Sequence, residues 1–195
     1  MTKTIFVATS NRNKLKEIKE ILNNFNIDVN LLSPNDFNDT SSPEENGFTF
    51  KENALIKARY YYNKYHFSTL ADDSGICIKY LGNHPGIHSA RFMNNLNIKQ
   101  TNEYILKLMK NIKDRTAYFH CALAYIENGE EKVYEKILEG QISNTIRGEY
   151  GFGYDPIFYL KEYDKTSAEL VGEDKNKVSH RYLVLKEWAD GIKNI

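Results

Sequence analysis

The chain of 195 residues and 22.7 kDa is long enough to bury a core without disulfides or a structural metal. Its 26 Lys and Arg balance 26 Asp and Glu, which disfavours a globally basic nucleic-acid binder. Mean hydropathy is −0.58, and the longest apolar run, Cys121 to Ile126, falls far short of the ~18–20 residues a membrane span needs. No nucleic-acid or membrane partner is therefore expected. Cys77 and Cys121 lie in apolar stretches without metal-ligand spacing, which reads as buried thiols in a reducing compartment. The N-terminus runs straight into strand-like sequence, so no secretory leader is expected.

In chain order, residues 4–8 read as a buried strand. Leu15, Ile18, Ile21, Leu22 and Phe25 recur at helical spacing and predict a helix over 14–24, with a second strand over 27–32. Residues 33–47, with Pro34 and Pro43, read as a loop. Thr49 and Glu52 form a capping-box pattern that opens a helix ending near Tyr65. Strands are expected over 68–71 and 76–81, separated by Asp72-Asp73-Ser74-Gly75, and a turn at His84-Pro85-Gly86. A helix over 101–112 follows. Strands over 117–126 and 133–138 are joined by a hairpin at Glu127-Asn128-Gly129-Glu130, and 142–146 is a further strand candidate. A helix over 178–192 closes the chain. The alternation of helices and strands with a late hairpin predicts an α/β fold on a mixed sheet.

Five segments carry possible chemistry. Thr9, Ser10, Asn11 and Lys14 lie between the first strand and helix, where helix N–H groups and a lysine suit phosphate; an ordinary capped helix start is the alternative. Asp72 and Asp73, with Glu44, Glu45 and Glu52 upstream, offer oxygen ligands for Mg²⁺, although Asp-Ser-Gly is also turn chemistry. Gly151-Phe152-Gly153-Tyr154-Asp155 combines close backbone approach with aromatic faces for a base, or is a glycine turn with core aromatics. Lys175 with His180 and Arg181 near the last helix start would face an anion or polar ligand, or solvent. Arg91 reaches a phosphate or pairs with an acid. Together, without a nucleophilic triad, these groups point to metal-assisted nucleotide hydrolysis.

Six collinear segments then carry a family resemblance. They are Ala8-Thr9-Ser10-Asn11-Arg12-Asn13-Lys14; Gly47-Phe48-Thr49-Phe50-Lys51-Glu52-Asn53-Ala54; Ala71-Asp72-Asp73-Ser74-Gly75; Pro85-Gly86-Ile87-His88-Ser89-Ala90-Arg91-Phe92; Gly151-Phe152-Gly153-Tyr154-Asp155-Pro156-Ile157-Phe158; and Thr166-Ser167-Ala168-Glu169-Leu170 with Lys175-Asn176 and Ser179-His180-Arg181. The chain resembles the inosine triphosphate pyrophosphatases, or Ham1-like proteins, over nearly its whole length.

The resemblance implies an elongated, two-lobed α/β fold with a central twisted mixed sheet flanked by helices. It implies one catalytic domain, residues 1–195, with the nucleotide in a cleft between the lobes. The implied reaction is hydrolysis of ITP, dITP and XTP to the monophosphate and pyrophosphate, with Mg²⁺ (Mn²⁺ as the alternative) in a cytoplasmic homodimer. Residue by residue, Asp73 is the expected catalytic base. Glu44 and Asp73 are the expected metal ligands, with Asp72 and Glu45 as further candidates. Thr9, Ser10, Asn11, Lys14, Ser74, Arg91, Phe152, Gly153, Tyr154, Asp155, Lys175, His180 and Arg181 are the expected substrate contacts. Arg181 is expected to donate to the 6-oxo group of the base. A nucleotide sensor without turnover would not need Asp73 or Glu44. A single-stranded RNA binder would need a basic groove, and a Maf-like pyrophosphatase fits the His180-Arg181 ending less well.

Overall fold

The computed structural model describes residues 2–93, 96–171 and 178–193. The chain divides into two compact units. The first comprises Met1–Asp73, Cys121–Lys136 and Arg181–Ile195; the second comprises Ser74–His120 and Ile137–His180.

The first unit opens with β1 (Lys3–Val7), α1 (Arg12–Asn24) and β2 (Val29–Leu32), and β1 pairs in parallel with β2. α2 (Phe50–Tyr65) then leads into β3 (Ser68–Ile78), which pairs in parallel with the other edge of β1. Such parallel neighbours require crossover helices, and α1 and α2 supply them. Thr49 caps α2 as its sequence predicts: its Oγ1 accepts from Glu52 N–H at 3.1 Å, and the Glu52 carboxylate accepts from Thr49 N–H at 3.1 Å. β5 (Thr116–Glu127) and β6 (Glu130–Ile142) form the expected hairpin, with Asn128 and Gly129 at φ 50° and 80°. Both central residues at positive φ match the twist of the flanking strands. The core joins Ile5 and Val7 of β1, Ile18, Ile21 and Leu22 of α1, Leu123 of β5 and Trp188 of α4 (His180–Lys193).

In the second unit, Ile76 and Ile78 of β3 pack with Ala117 and Phe119 of β5 and with Ile105 of α3 (Ile98–Leu108). β4 (His84–Pro85) pairs antiparallel with β3. β7 (Phe158–Leu160) pairs antiparallel with the end of β6, and β8 (Lys165–Thr166) with β7. The sheet is mixed, as the sequence predicts.

Three expectations change. The strands expected over 68–71 and 76–81 are one strand of 11 residues, so Asp72-Asp73-Ser74-Gly75 lies inside β3 and is not a turn. Counter-ions for the two carboxylates, described below, make this possible. Gly75 is required by close approach: a Cβ there would lie 2.3 Å from Ser89 Oγ and 2.4 Å from Gly86 O. The strand candidate over 142–146 fails beyond Ile142, because Ser143 Oγ–H donates to Thr145 O at 2.6 Å and curls the backbone. α3 starts three residues before the expected Thr101, because Asn97 caps it by accepting from Gln100 N–H at 2.9 Å. The short strands β4, β7 and β8 carry too few residues for a periodic signal.

Gly75→Ala should destabilise the protein by about 1–3 kcal/mol, the scale of overpacking a fixed contact. Urea unfolding checks this; an unchanged midpoint would show that the turn at Ser89 yields freely.

Candidate active site

β3 carries two adjacent carboxylates, and consecutive strand residues point to opposite faces. Each therefore needs its own partners. Asp72 Oδ2 accepts from Lys14 Nζ at 3.0 Å and from Arg181 Nη2 at 2.9 Å and Nε at 3.3 Å. Arg181 Nη1 donates in turn to Glu17, one helical turn beyond Lys14 on α1. Asp72 and Arg181 side chains are each 1% exposed, and with the partly buried Lys14 and Glu17 they form a chain of alternating charge. Burial works to raise the Asp72 carboxyl, but Lys14 and Arg181 outweigh it and hold the group well below 3.8.

Asp73 is held differently. Its Oδ1 accepts from Lys57 Nζ at 3.0 Å, and the same amine donates to Glu45 Oε2 at 3.1 Å. Its Oδ2 is buried and, among the described residues, has no hydrogen-bond partner. Burial pushes the Asp73 carboxyl above its ordinary value despite Lys57, and the nearby Glu45 adds to the rise. Lys57 moves up as well, because Asp73, Asp72 and Glu45 outweigh its own burial.

Sequence reasoning missed Lys57 and Glu17. The signal for Lys57 was present: it lies four residues after Asn53 and four before Tyr61, both buried on α2. A lysine in register with a buried face asks for an anion. The loop before α2 also brings Glu45, rather than Glu44, to Lys57; Glu44 is exposed. Asn53 orders the end of that loop, its Oδ1 accepting from Gly47 N–H at 2.9 Å.

An orphaned carboxylate oxygen beside a second acid is a fit for a hard cation. No three His, Cys, Asp or Glu side chains among the described residues stand together as a metal site. Mg²⁺ needs only one or two carboxylates when substrate phosphates complete its shell, and Asp73 with Glu45 meets that requirement.

At the start of α1, Asn11 is the N-cap and its Oδ1 accepts from Asn13 N–H at 2.9 Å and Lys14 N–H at 3.3 Å. Thr9 Oγ1 accepts from Asn11 N–H at 3.2 Å, and Ser10 is exposed. These internal bonds occupy helix N–H groups that the sequence offered to phosphate. Lys14 remains the charged donor of this segment.

The second unit holds the other expected contacts. Ser74 is half-buried on β3, immediately after Asp73. In the turn at 152–155, Asp155 Oδ2 accepts from Phe152 N–H at 3.0 Å, and Gly153 O accepts from Asn102 Nδ2 at 3.1 Å. Tyr154 O–H donates to Ser89 O at 2.7 Å, and burial pushes its phenol up to about 12. His180 stacks on Phe119, with ring centroids 4.6 Å apart and planes at 18°. Arg91 is exposed and donates to His88 Nδ1 at 3.3 Å. Lys175 lies outside the described residues. Arg181 donates to Asp72 and Glu17 through three of its five guanidinium N–H groups.

The family model for the Ham1 family matches residues 5–190. The chain belongs to the Ham1 family. A dITP/XTP pyrophosphatase of Bacillus subtilis (strain 168) is 47% identical to this Ham1 chain over 189 residues, covering 95% of it and 94% of the relative. A dITP/XTP pyrophosphatase of Caldanaerobacter subterraneus is 42% identical over 191 residues, covering 94% of each chain. The solved structure of a Ham1 protein from Coxiella burnetii superposes with a TM-score of 0.89 at 34% identity over 100% of both chains. That of the Staphylococcus aureus Ham1 protein gives 0.87 at 32% identity, covering 98% of this chain and 99% of that one.

Asp72→Asn should cost about 3–5 kcal/mol at pH 7, because it leaves buried cations undercompensated. The sign of its pH dependence follows from the depressed carboxyl. The gap to wild type is full above the unfolded carboxyl value near 3.8 and closes as pH falls from there through the lower folded value. Urea unfolding of both proteins from pH 7 to pH 2 checks this; a gap that closes near pH 5 would contradict it.

Proposed function

We propose that this protein is a metal-dependent nucleoside triphosphate pyrophosphatase that hydrolyses non-standard purine nucleotides, ITP, dITP and XTP, to the monophosphate and pyrophosphate, cleansing the nucleotide pool. The observation that carries the reading is Asp73: a buried carboxylate with one oxygen on Lys57 and the other without a hydrogen-bond partner among the described residues, in a chain whose Ham1 relatives are dITP/XTP pyrophosphatases. The family resemblance supports residues 1–195 acting as one catalytic chain, in the cytoplasm, as a homodimer. No helix among the described residues is long and apolar enough to cross a membrane.

Asp73 with Glu45, or with the neighbouring Glu44, would hold the divalent cation, for which Mg²⁺ is our first choice and Mn²⁺ the alternative. When bound, such an ion neutralises phosphate charge and makes water more acidic. The protein's own groups do the rest. Lys14 and Lys57 are cations placed to accompany the polyphosphate. Asp73 orients a water and takes its proton, a role suited to a carboxylate with one oxygen held by Lys57 and the other outside that bond. The water oxygen bonds to the α-phosphorus, the bond to the bridging oxygen breaks, and that oxygen leaves on pyrophosphate. Phe152, Gly153, Tyr154 and Asp155 form a wall for the base, with Ser74, Arg91, Lys175 and His180 as further substrate contacts. Arg181, with Glu17, fixes Asp72 and through it Lys14.

Incubation with dITP and Mg²⁺ should release pyrophosphate in one step; release of orthophosphate with the diphosphate would contradict attack at the α-phosphorus. Asp73→Asn should lower kcat by roughly 10²-fold or more, the scale of general-base work, while the variant still binds substrate. Near-normal turnover would remove Asp73 from the mechanism. Lys14→Ala should weaken triphosphate binding by about 1.5–3 kcal/mol, as for one charge-assisted hydrogen bond, and affect the monophosphate much less. Equal losses in calorimetric titrations of both nucleotides would place Lys14 away from the β- and γ-phosphates.

A further inference from the structure

Asn102 sits on α3, 2% exposed, with its amide donating to Gly153 O at 3.1 Å. Its Oδ1 is buried without a hydrogen-bond partner among the described residues. A buried amide with an unmet acceptor is costlier than an apolar side chain of the same size. What the amide supplies in return is one donor, aimed at the glycine-aromatic turn. Gly153 lies at φ 67°, and a Cβ there would meet nothing within 4 Å among the described residues. Backbone conformation therefore calls for glycine there, and no described residue crowds that side of the turn. Gly151 also has positive φ, at 80°. Two such glycines leave the turn many conformations unless something outside it restrains the backbone. The Asp155 bond to Phe152 N–H lies within the turn, and the Tyr154 hydroxyl anchors a ring. Asn102 ties the peptide carbonyl itself to a helix.

We propose that Asn102 is a specificity-determining positioning residue: by holding the Gly153 carbonyl it fixes the turn at 152–155 in the one conformation that forms a tight wall for the purine. This rests on the reading of that turn as the base wall. Xanthine carries a 2-oxo group about as large as guanine's 2-amino group, so such a wall discriminates through the hydrogen-bonding groups it fixes rather than through bulk. A loosened wall loses that fixed polarity, and the substrate that gains is the one with a 2-amino donor. Loss of the tether should therefore act on the choice between dITP and dGTP and on KM, with kcat for dITP the lesser effect.

The test measures kcat and KM of the full chain for dITP and dGTP in wild type, Asn102→Ala, Asn102→Ser and Phe152→Ala, with thermal melts to confirm folding. Asn102→Ala should lower the dITP/dGTP ratio of kcat/KM by about 3–10-fold, bracketing the roughly fivefold equivalent of one hydrogen bond. Asn102→Ser, whose hydroxyl is too short to span the distance, should shift the ratio in the same direction and decides the matter if the alanine variant does not fold. A folded Asn102 variant that keeps the wild-type ratio, including one that loses kcat equally on both substrates, overturns the inference. If Phe152→Ala changes the ratio in that case, the base wall stands and only the role of Asn102 falls. If Phe152→Ala also leaves the ratio unchanged, the base wall falls and the inference with it.

Discussion

Two carboxylates side by side in a nearly buried strand are the constraint on which the site depends. Asp72 and Asp73 repel each other across one peptide unit, and burial penalises both charges. The fold meets the two demands unequally. Asp72 receives two cations, one of them a fully buried arginine that is itself balanced by Glu17. Among the described residues, Asp73 receives one lysine, shared with Glu45, and one of its oxygens has no hydrogen-bond partner. One carboxylate is thereby a fixed structural anion, and its neighbour keeps an oxygen that no described residue hydrogen-bonds.

This asymmetry ties distant parts of the sequence to one place. Lys14 and Glu17 come from α1, Lys57 from α2, Glu45 from the loop before it, and Arg181 from α4. Replacing the Asp72 cluster with apolar side chains of equal volume would cost little stability, since buried ion pairs are rarely net stabilisers. Its effect is to hold Lys14 on Asp72, where its charge also reaches Asp73. In the second unit the same logic operates without charge. Gly75 lets β3 approach the turn at Ser89, Ser89 O takes the Tyr154 hydroxyl, and the turn at 152–155 is thereby tied to the strand that carries Ser74.

Much of this was legible in the sequence, for physical reasons. α1 and α2 have helical periodicity and strong N-terminal caps at Asn11 and Thr49, so their positions follow closely. The hairpin follows from Asn-Gly between apolar strands. Asp72-Asp73-Ser74-Gly75 misled because its composition is that of a turn, and only long-range counter-ions from Lys14, Lys57 and Arg181 allow it to remain extended. The choice between Glu44 and Glu45 depended on which side chain a loop turns toward Lys57, which no local pattern encodes. Arg181 was read as facing a ligand because a basic residue opposes the dipole at a helix start; the internal anions it pairs with, Asp72 and Glu17, lie 109 and 164 residues away in sequence, and no local pattern encodes that pairing. The tether from Asn102 spans 51 residues and had no local signal.

The central claim, that one of the two adjacent carboxylates is clamped in the charged state and the other is held ready to take a proton, is tested most directly by a carbon-detected NMR titration of the aspartate carboxyl groups in the metal-free protein, assigned with Asp72→Asn and Asp73→Asn. The account predicts that the Asp73 resonance titrates above 3.8 and that the Asp72 resonance shows no titration until well below it. Both groups titrating together near the ordinary carboxylate value, or Asp72 above Asp73, would contradict it.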